Sequence, residues 1–105
     1  MENFALGNLT FEWDDRKAAA NIRNHGVNFE EAATAFLDFY AEMIPDPDHS
    51  ETEERFLLLA MSTTARLLVV VHVRRELRFR IISARRAGVR ESRRYDATRF
   101  GNGNR

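Results

Sequence analysis

The chain is predicted to be an α+β domain, with helices gathered against an antiparallel sheet. Two capped, alanine-bearing segments stand near the N-terminus, and three runs rich in Val, Leu and Ile follow, joined by connections of two or three residues. Helical composition then returns near the C-terminus. With 105 residues and 44% apolar composition there is material for one modest core, so a single domain is expected.

Each element has a local reason. "TFEW" is short, aromatic and strand-prone. Asp14 is a good N-cap for "DRKAAANIRNHG", where three alanines favour helix and Gly26 supplies a stop, which predicts a first helix over Asp15–Asn24. Asn28 caps a second helix, Glu31 completes a capping-box-like pattern, and Ala32, Ala33, Phe36 and Leu37 form an apolar stripe that ends near Leu37. After "DFYAEMI", the stretch "PDPDHSETEE" holds both prolines among carboxylates and reads as a solvated loop. "RFLLLAMS", "RLLVVVHVR" and "LRFRIISAR", separated by "TTA" and "RE", have the pattern of an antiparallel meander. "GVRESRRYDATRF" is helical in composition, and "GNGNR" reads as a disordered end. The expected order is β–α–α–β–β–β–β–α. Residues 1–10 read as an N-terminal extension, 11–98 as the domain and 99–105 as a tail.

A formal net charge of zero conceals a division. Residues 1–73 carry five Lys or Arg against thirteen Asp or Glu, and residues 74–105 carry eleven Arg against three acids. The C-terminal third should therefore seek phosphates or an acidic protein surface. There is no cysteine, which excludes disulfides and thiolate chemistry and suits a reducing cytosol. No stretch approaches the roughly 20 apolar residues that a membrane helix requires, so a soluble, cytoplasmic protein is expected, with no membrane partner.

The arginines are concentrated in "RFRIISARRAGVRESRRY". Strand alternation puts Leu77, Phe79 and Ile81 on one face and Arg78 with Arg80 on the other, about 7 Å apart by strand rise, a spacing suited to successive phosphates. Two surface arginines alone would more often be a solvated face paired with a neighbour such as Glu76. The continuation through Arg85, Arg86, Arg90, Arg93 and Arg94 favours anion binding, for which the guanidinium fork is well shaped.

His72, near the end of an apolar strand, has the chemistry of a general acid or base, although such a histidine is more often a satisfied strand residue. A two-residue turn at Arg75 and Glu76 would place it on the face opposite Arg78 and Arg80. His25 reads as a helix-end residue. His49 sits among carboxylates, yet histidines at 25, 49 and 72 share no recognised ligand spacing, so neither a metal nor another cofactor is expected. Phe11 and Trp13 could stack bases, but aromatics at a strand end are more often core.

"FEWDDRKAAANIRNHGVNFEEAATAFLD", "DPDHSETEERFLLLAMS", "RLLVVVHVR" and "RIISARRA", in that order and covering about residues 11–96, resemble the BrnT family of toxins from bacterial type II toxin–antitoxin modules. The departures are local: Ser92 and Asp96 in "ESRRYD", and Ala60 and Ala65 where the family commonly has glycine. The resemblance implies a RelE-like fold, with two N-terminal helices packed on the sheet and a C-terminal helix. It further implies a cofactor-free ribonuclease that blocks translation and is neutralised by a BrnA-type antitoxin in a heterotetramer of two toxins and two antitoxins. Operator DNA would be bound only through the antitoxin.

In such a reaction a base deprotonates the RNA 2′-OH, cations stabilise the phosphorane and an acid protonates the departing 5′ oxygen. Arg80 and Arg85 are the expected catalytic cations, with Arg78, Arg86, Arg93 and Arg94 binding RNA. His72 and Tyr95 are the candidates for proton transfer, and Tyr95 would need its pKa lowered by nearby guanidiniums. The readings from other classes are a non-catalytic RNA- or protein-binding module and an inactive toxin homologue held by its antitoxin.

Overall fold

A computed structural model of the chain describes residues 1–46 and 54–101. The elements are β1 (Glu2–Leu6), β2 (Leu9–Trp13), α1 (Asp15–His25), α2 (Phe29–Thr34), a 3-10 turn at Ala35–Leu37, β3 (Glu42–Pro45), β4 (Arg55–Met61), β5 (Leu67–Arg75), β6 (Arg78–Arg86) and α3 (Val89–Phe100). Most of the acidic stretch, including His49, and residues 102–105 of the tail lie outside the described residues.

Local chemistry sets the helix ends. Asp14 Oδ1 accepts the backbone N–H groups of Arg16 at 2.8 Å and Lys17 at 3.2 Å, and Asn28 Oδ1 accepts that of Glu31 at 2.7 Å. Gly26 ends α1 in the left-handed region, at φ +68°, with its N–H donating to Ile22 O. The second helix tightens to 3-10 geometry over its last three residues instead of continuing as α-helix to Leu37.

The six strands form one sheet in the order β1-β2-β6-β5-β4-β3. Its neighbours are antiparallel except for β2 and β6, which run parallel with Phe11 beside Phe79 and Glu12 beside Arg80. The sheet is therefore mixed, which corrects the purely antiparallel expectation: a parallel pair needs a long crossover, here everything between β2 and β6, and the patterning of either strand is silent on it. Strand pairing also starts within the stretch read as an extension. Gly7, at φ +59°, turns β1 back onto β2, so that Glu2 faces Trp13 and Leu6 faces Leu9.

Helices α1 and α2 cover one face of the sheet, where Phe11, Trp13, Phe29, Leu58, Leu68, Val70, Ile81 and Ala84 form the main core. Phe11 and Trp13 are core residues. Buried Asn21 fastens α1 to β6: its Nδ2 donates to Val27 O and Ala84 O, both at 2.8 Å, and its Oδ1 accepts the Ala84 N–H at 3.0 Å. Leaving those backbone groups unpaired would cost about 1–3 kcal/mol each. Helix α3 lies on the opposite face, where Tyr95 packs with Leu59 and Val69.

At the edge of the helix layer Glu31 accepts from Ser62 Oγ at 2.8 Å, Thr64 Oγ1 at 2.7 Å and the Arg66 guanidinium. The Arg66 hydrogen bonds, aided by the two hydroxyls, hold its carboxyl down at about 2.

Candidate functional site

The register of β5 against β6 decides which arginines share a face. Arg80 lies opposite Val73, Ser83 opposite Val71 and Arg85 opposite Val69, while Ile82 is the extra residue of a bulge between them. Without it Arg80 and Arg85, an odd number of residues apart, would point to opposite sides. The bulge returns both to the α3 side, with Arg78 beyond them. Arg86, opposite Leu68, points to the helix-layer side and is not brought together with these three.

Helix α3 occupies only part of this face. Its anchor, Tyr95, packs near the Leu59–Val69 end of the strands. Arg78 and Arg80 sit at the other end, next to the two-residue Glu76–Leu77 turn. A cavity of about 490 Å³ opens there, lined by Glu12, Arg75, Glu76, Leu77 and Arg78. The parallel pairing of β2 with β6 puts Glu12 on the same face as Arg80. Glu12 Oε2 accepts from Arg80 Nη1 at 3.1 Å and Glu12 Oε1 from Arg78 Nη1 at 3.4 Å. Arg80 Nη1 also lies 3.2 Å from Met1 Sδ.

Other arginines are fastened to α3 or its surroundings. Arg85 makes a two-point pair with Glu91, at 2.9 and 2.7 Å, and Glu91 also accepts the Gly88 N–H at the helix start. The Arg85 hydrogen bonds, aided by that N–H, hold the Glu91 carboxyl at about 2. Arg94 makes a similar pair with Glu42 of β3, at 2.7 and 2.6 Å. Arg90 and Arg93 are exposed and make no ion pair among the described residues.

Neither sequence candidate for proton transfer is presented to this surface. His72, opposite Ile81, lies on the helix-layer side with no solvent exposure, ringed by Phe36, Phe56 and Phe79. Burial pushes its pKa down, against a smaller opposing effect of the Val70 carbonyl. Tyr95 is 1% exposed, and its hydroxyl donates to Asp38 Oδ2 at 2.6 Å. Burial and the Asp38 carboxylate push the phenol up, the reverse of the lowering a phenolate base would need, and the weaker influence of Arg99 does not undo it.

Glu12 is the residue that sequence reading missed. It stands in the "FEW" run, but nothing there marks it for chemistry, and only the pairing of β2 with β6 places it against Arg80. Among the described residues no three His, Cys, Asp or Glu converge as metal ligands would.

The chain is thus a small α+β domain with one sheet face closed by helices and the other left partly open, where Arg78, Arg80 and Arg85 share a side. Comparison with known families makes this specific: residues 13–91 match the family model described as the ribonuclease toxin, BrnT, of type II toxin–antitoxin systems. The chain belongs to that family, and a toxin of this kind has an antitoxin partner. Among solved structures it is similar to the 1.1 Å crystal structure of the Brucella abortus ribonuclease toxin, BrnT, at a TM-score of 0.59 and 24% identity, over 74% of this chain and 95% of that one. That likeness concerns the fold. Comparison with curated proteins gave no match.

Proposed function

We propose that this protein is a metal-independent endoribonuclease of RelE-like type that arrests growth by blocking translation, and that a BrnA-type antitoxin neutralises it. The observation that carries the reading, in a chain of this family, is the Arg78–Arg80 pair on the open end of the sheet. Two guanidiniums spaced by one strand repeat can hold successive phosphates and stabilise a phosphorane. Arg85, fixed by Glu91, supports the charge of the same face, and Arg93 and Arg94 extend the track for RNA along α3. Arg86, turned to the helix-layer side, lies outside this track. His72 and Tyr95 serve the scaffold in this reading.

Charge complementarity suggests how the antitoxin acts: carboxylates and apolar side chains laid over the arginine face would exclude RNA, an attraction that weakens with salt. In the cytoplasm two toxins would be held by two antitoxins, with operator DNA bound through the antitoxins alone.

The test is to incubate purified toxin with total RNA in EDTA and, separately, to express it without antitoxin. RNA fragmentation and arrested protein synthesis are expected. Intact RNA with protein shown folded by circular dichroism would favour a binding module, and a metal requirement would overturn the cofactor-free chemistry.

A further inference from the structure

We infer that Glu12 is the general base of the site, accepting the proton of the RNA 2′-OH; the inference rests on the ribonuclease reading above. Three observations converge on it. Its carboxylate lies between the two arginines best placed to hold a phosphate, 3.1 Å from Arg80 and 3.4 Å from Arg78. It also lines the cavity at the β5–β6 turn, so a nucleotide can reach it although Glu12 is only 8% exposed. Finally, its sequence neighbours Phe11 and Trp13 are buried on the opposite face at 0% and 2% exposure, which fixes the strand that presents it.

A surface that only binds phosphate is weakened by a carboxylate at the centre of its clamp, because the carboxylate competes for the guanidiniums and repels the ligand. A cleaving site needs that group. When a phosphodiester enters, its non-bridging oxygens take over the guanidinium N–H groups, and the released carboxylate stands beside the ribose that bears the attacking hydroxyl. The 2′-OH proton passes to Glu12, an O2′–P bond forms and the P–O5′ bond breaks. The departing O5′ takes a proton from water, and Glu12 later returns its own to solvent. The products are a 2′,3′-cyclic phosphate and a 5′-hydroxyl, with no co-reactant beyond water.

The experiment compares wild type, Glu12→Gln and Glu12→Asp in single-turnover cleavage of an RNA oligonucleotide. In parallel it measures binding of the 2′-O-methyl analogue, which has no proton to give, and thermal melting. Glu12→Gln should cut the rate by about 10²–10⁴, the usual contribution of a positioned base, while binding the analogue as tightly as wild type or tighter. Glu12→Asp, which keeps a carboxylate one methylene short, should cleave faster than Glu12→Gln, and this comparison still decides the matter if the amide variant melts early. Wild-type products should end in 2′,3′-cyclic phosphate.

Cleavage by Glu12→Gln within threefold of wild type, equal rates for the Asp and Gln variants, or parallel loss of cleavage and analogue binding would overturn the role of Glu12 alone. Absence of cleavage by the wild type would overturn the ribonuclease reading with it.

Discussion

The Tyr95 hydroxyl and Asp38 Oδ2 lie 2.6 Å apart, and through this bond α3 is tied to the segment that leads into β3. The same carboxylate accepts the N–H groups of Met61 at 2.8 Å and Tyr40 at 2.9 Å. Burial alone would raise the Asp38 pKa, but these three donors outweigh it and the net shift is downward. Asp38 is thus an ionised hub that joins α3, β4 and its own loop.

Tyr95→Phe should remove one hydrogen bond to a charged acceptor and lower stability by about 1–2 kcal/mol. For a domain of this size that is a fall in Tm of about 4–8 °C per kcal/mol. RNA cleavage, assayed well below the melting temperature, should stay within about threefold of wild type. Lost cleavage with an unchanged melt would instead make Tyr95 a participant in the reaction.

His72 should behave as a core residue. Its buried Nε2 has no hydrogen-bond partner among the described residues, and its Nδ1 lies 3.2 Å from Val70 O. The folded-state pKa is depressed below 6.5, chiefly by burial. The unfolded chain therefore takes up a proton first as the pH falls, and the stability present above about pH 6.5 is progressively lost below it. His72→Leu should flatten that part of the curve of Tm against pH and leave cleavage intact. A folded variant that no longer cleaves RNA would contradict the assignment.

Ala65 stands in the "TTA" turn with φ +64°, a conformation that costs a residue with a Cβ about 1–2 kcal/mol. The resemblance at sequence level marked this position as one where glycine is common, and the backbone supplies the reason. Part of the relief is offset by the greater freedom of glycine in the unfolded chain. Ala65→Gly should therefore raise stability by about 0.5–1 kcal/mol, read as a Tm several degrees higher. A lower Tm would contradict the strain.

Much of the fold could be read from local signals. The caps at Asp14 and Asn28, the stop at Gly26 and the three apolar runs are each determined within a few residues, and they fall close to expectation. Longer-range features could not be read in this way. The pairing of β2 with β6 joins segments separated by nearly the whole domain, so neither the mixed sheet nor the approach of Glu12 to Arg80 leaves a periodic trace. The Ile82 bulge reverses the alternation that assigns residues to faces, which is why simple counting separates Arg85 from Arg80. Gly7–Asn8 between two short strand-prone runs was the available signal for the first hairpin. His72 illustrates the opposite limit: its residue type suggests chemistry, but its environment is set by Phe36, Phe56 and Phe79, contributed by three other elements.

Whether the open arginine face cleaves RNA is tested most sharply by the single-turnover cleavage rate of Arg80→Ala beside its thermal melt. The Arg80 side chain is 21% exposed and paired with Glu12, which keeps Arg78 as a partner, so a Tm within a few degrees of wild type is expected. Loss of an aligned donor where charge develops typically costs about 10²–10³ in rate. A fall of that size is expected, partly restored in Arg80→Lys, which returns the charge without the fork. Full cleavage by a well-folded Arg80→Ala protein would contradict it.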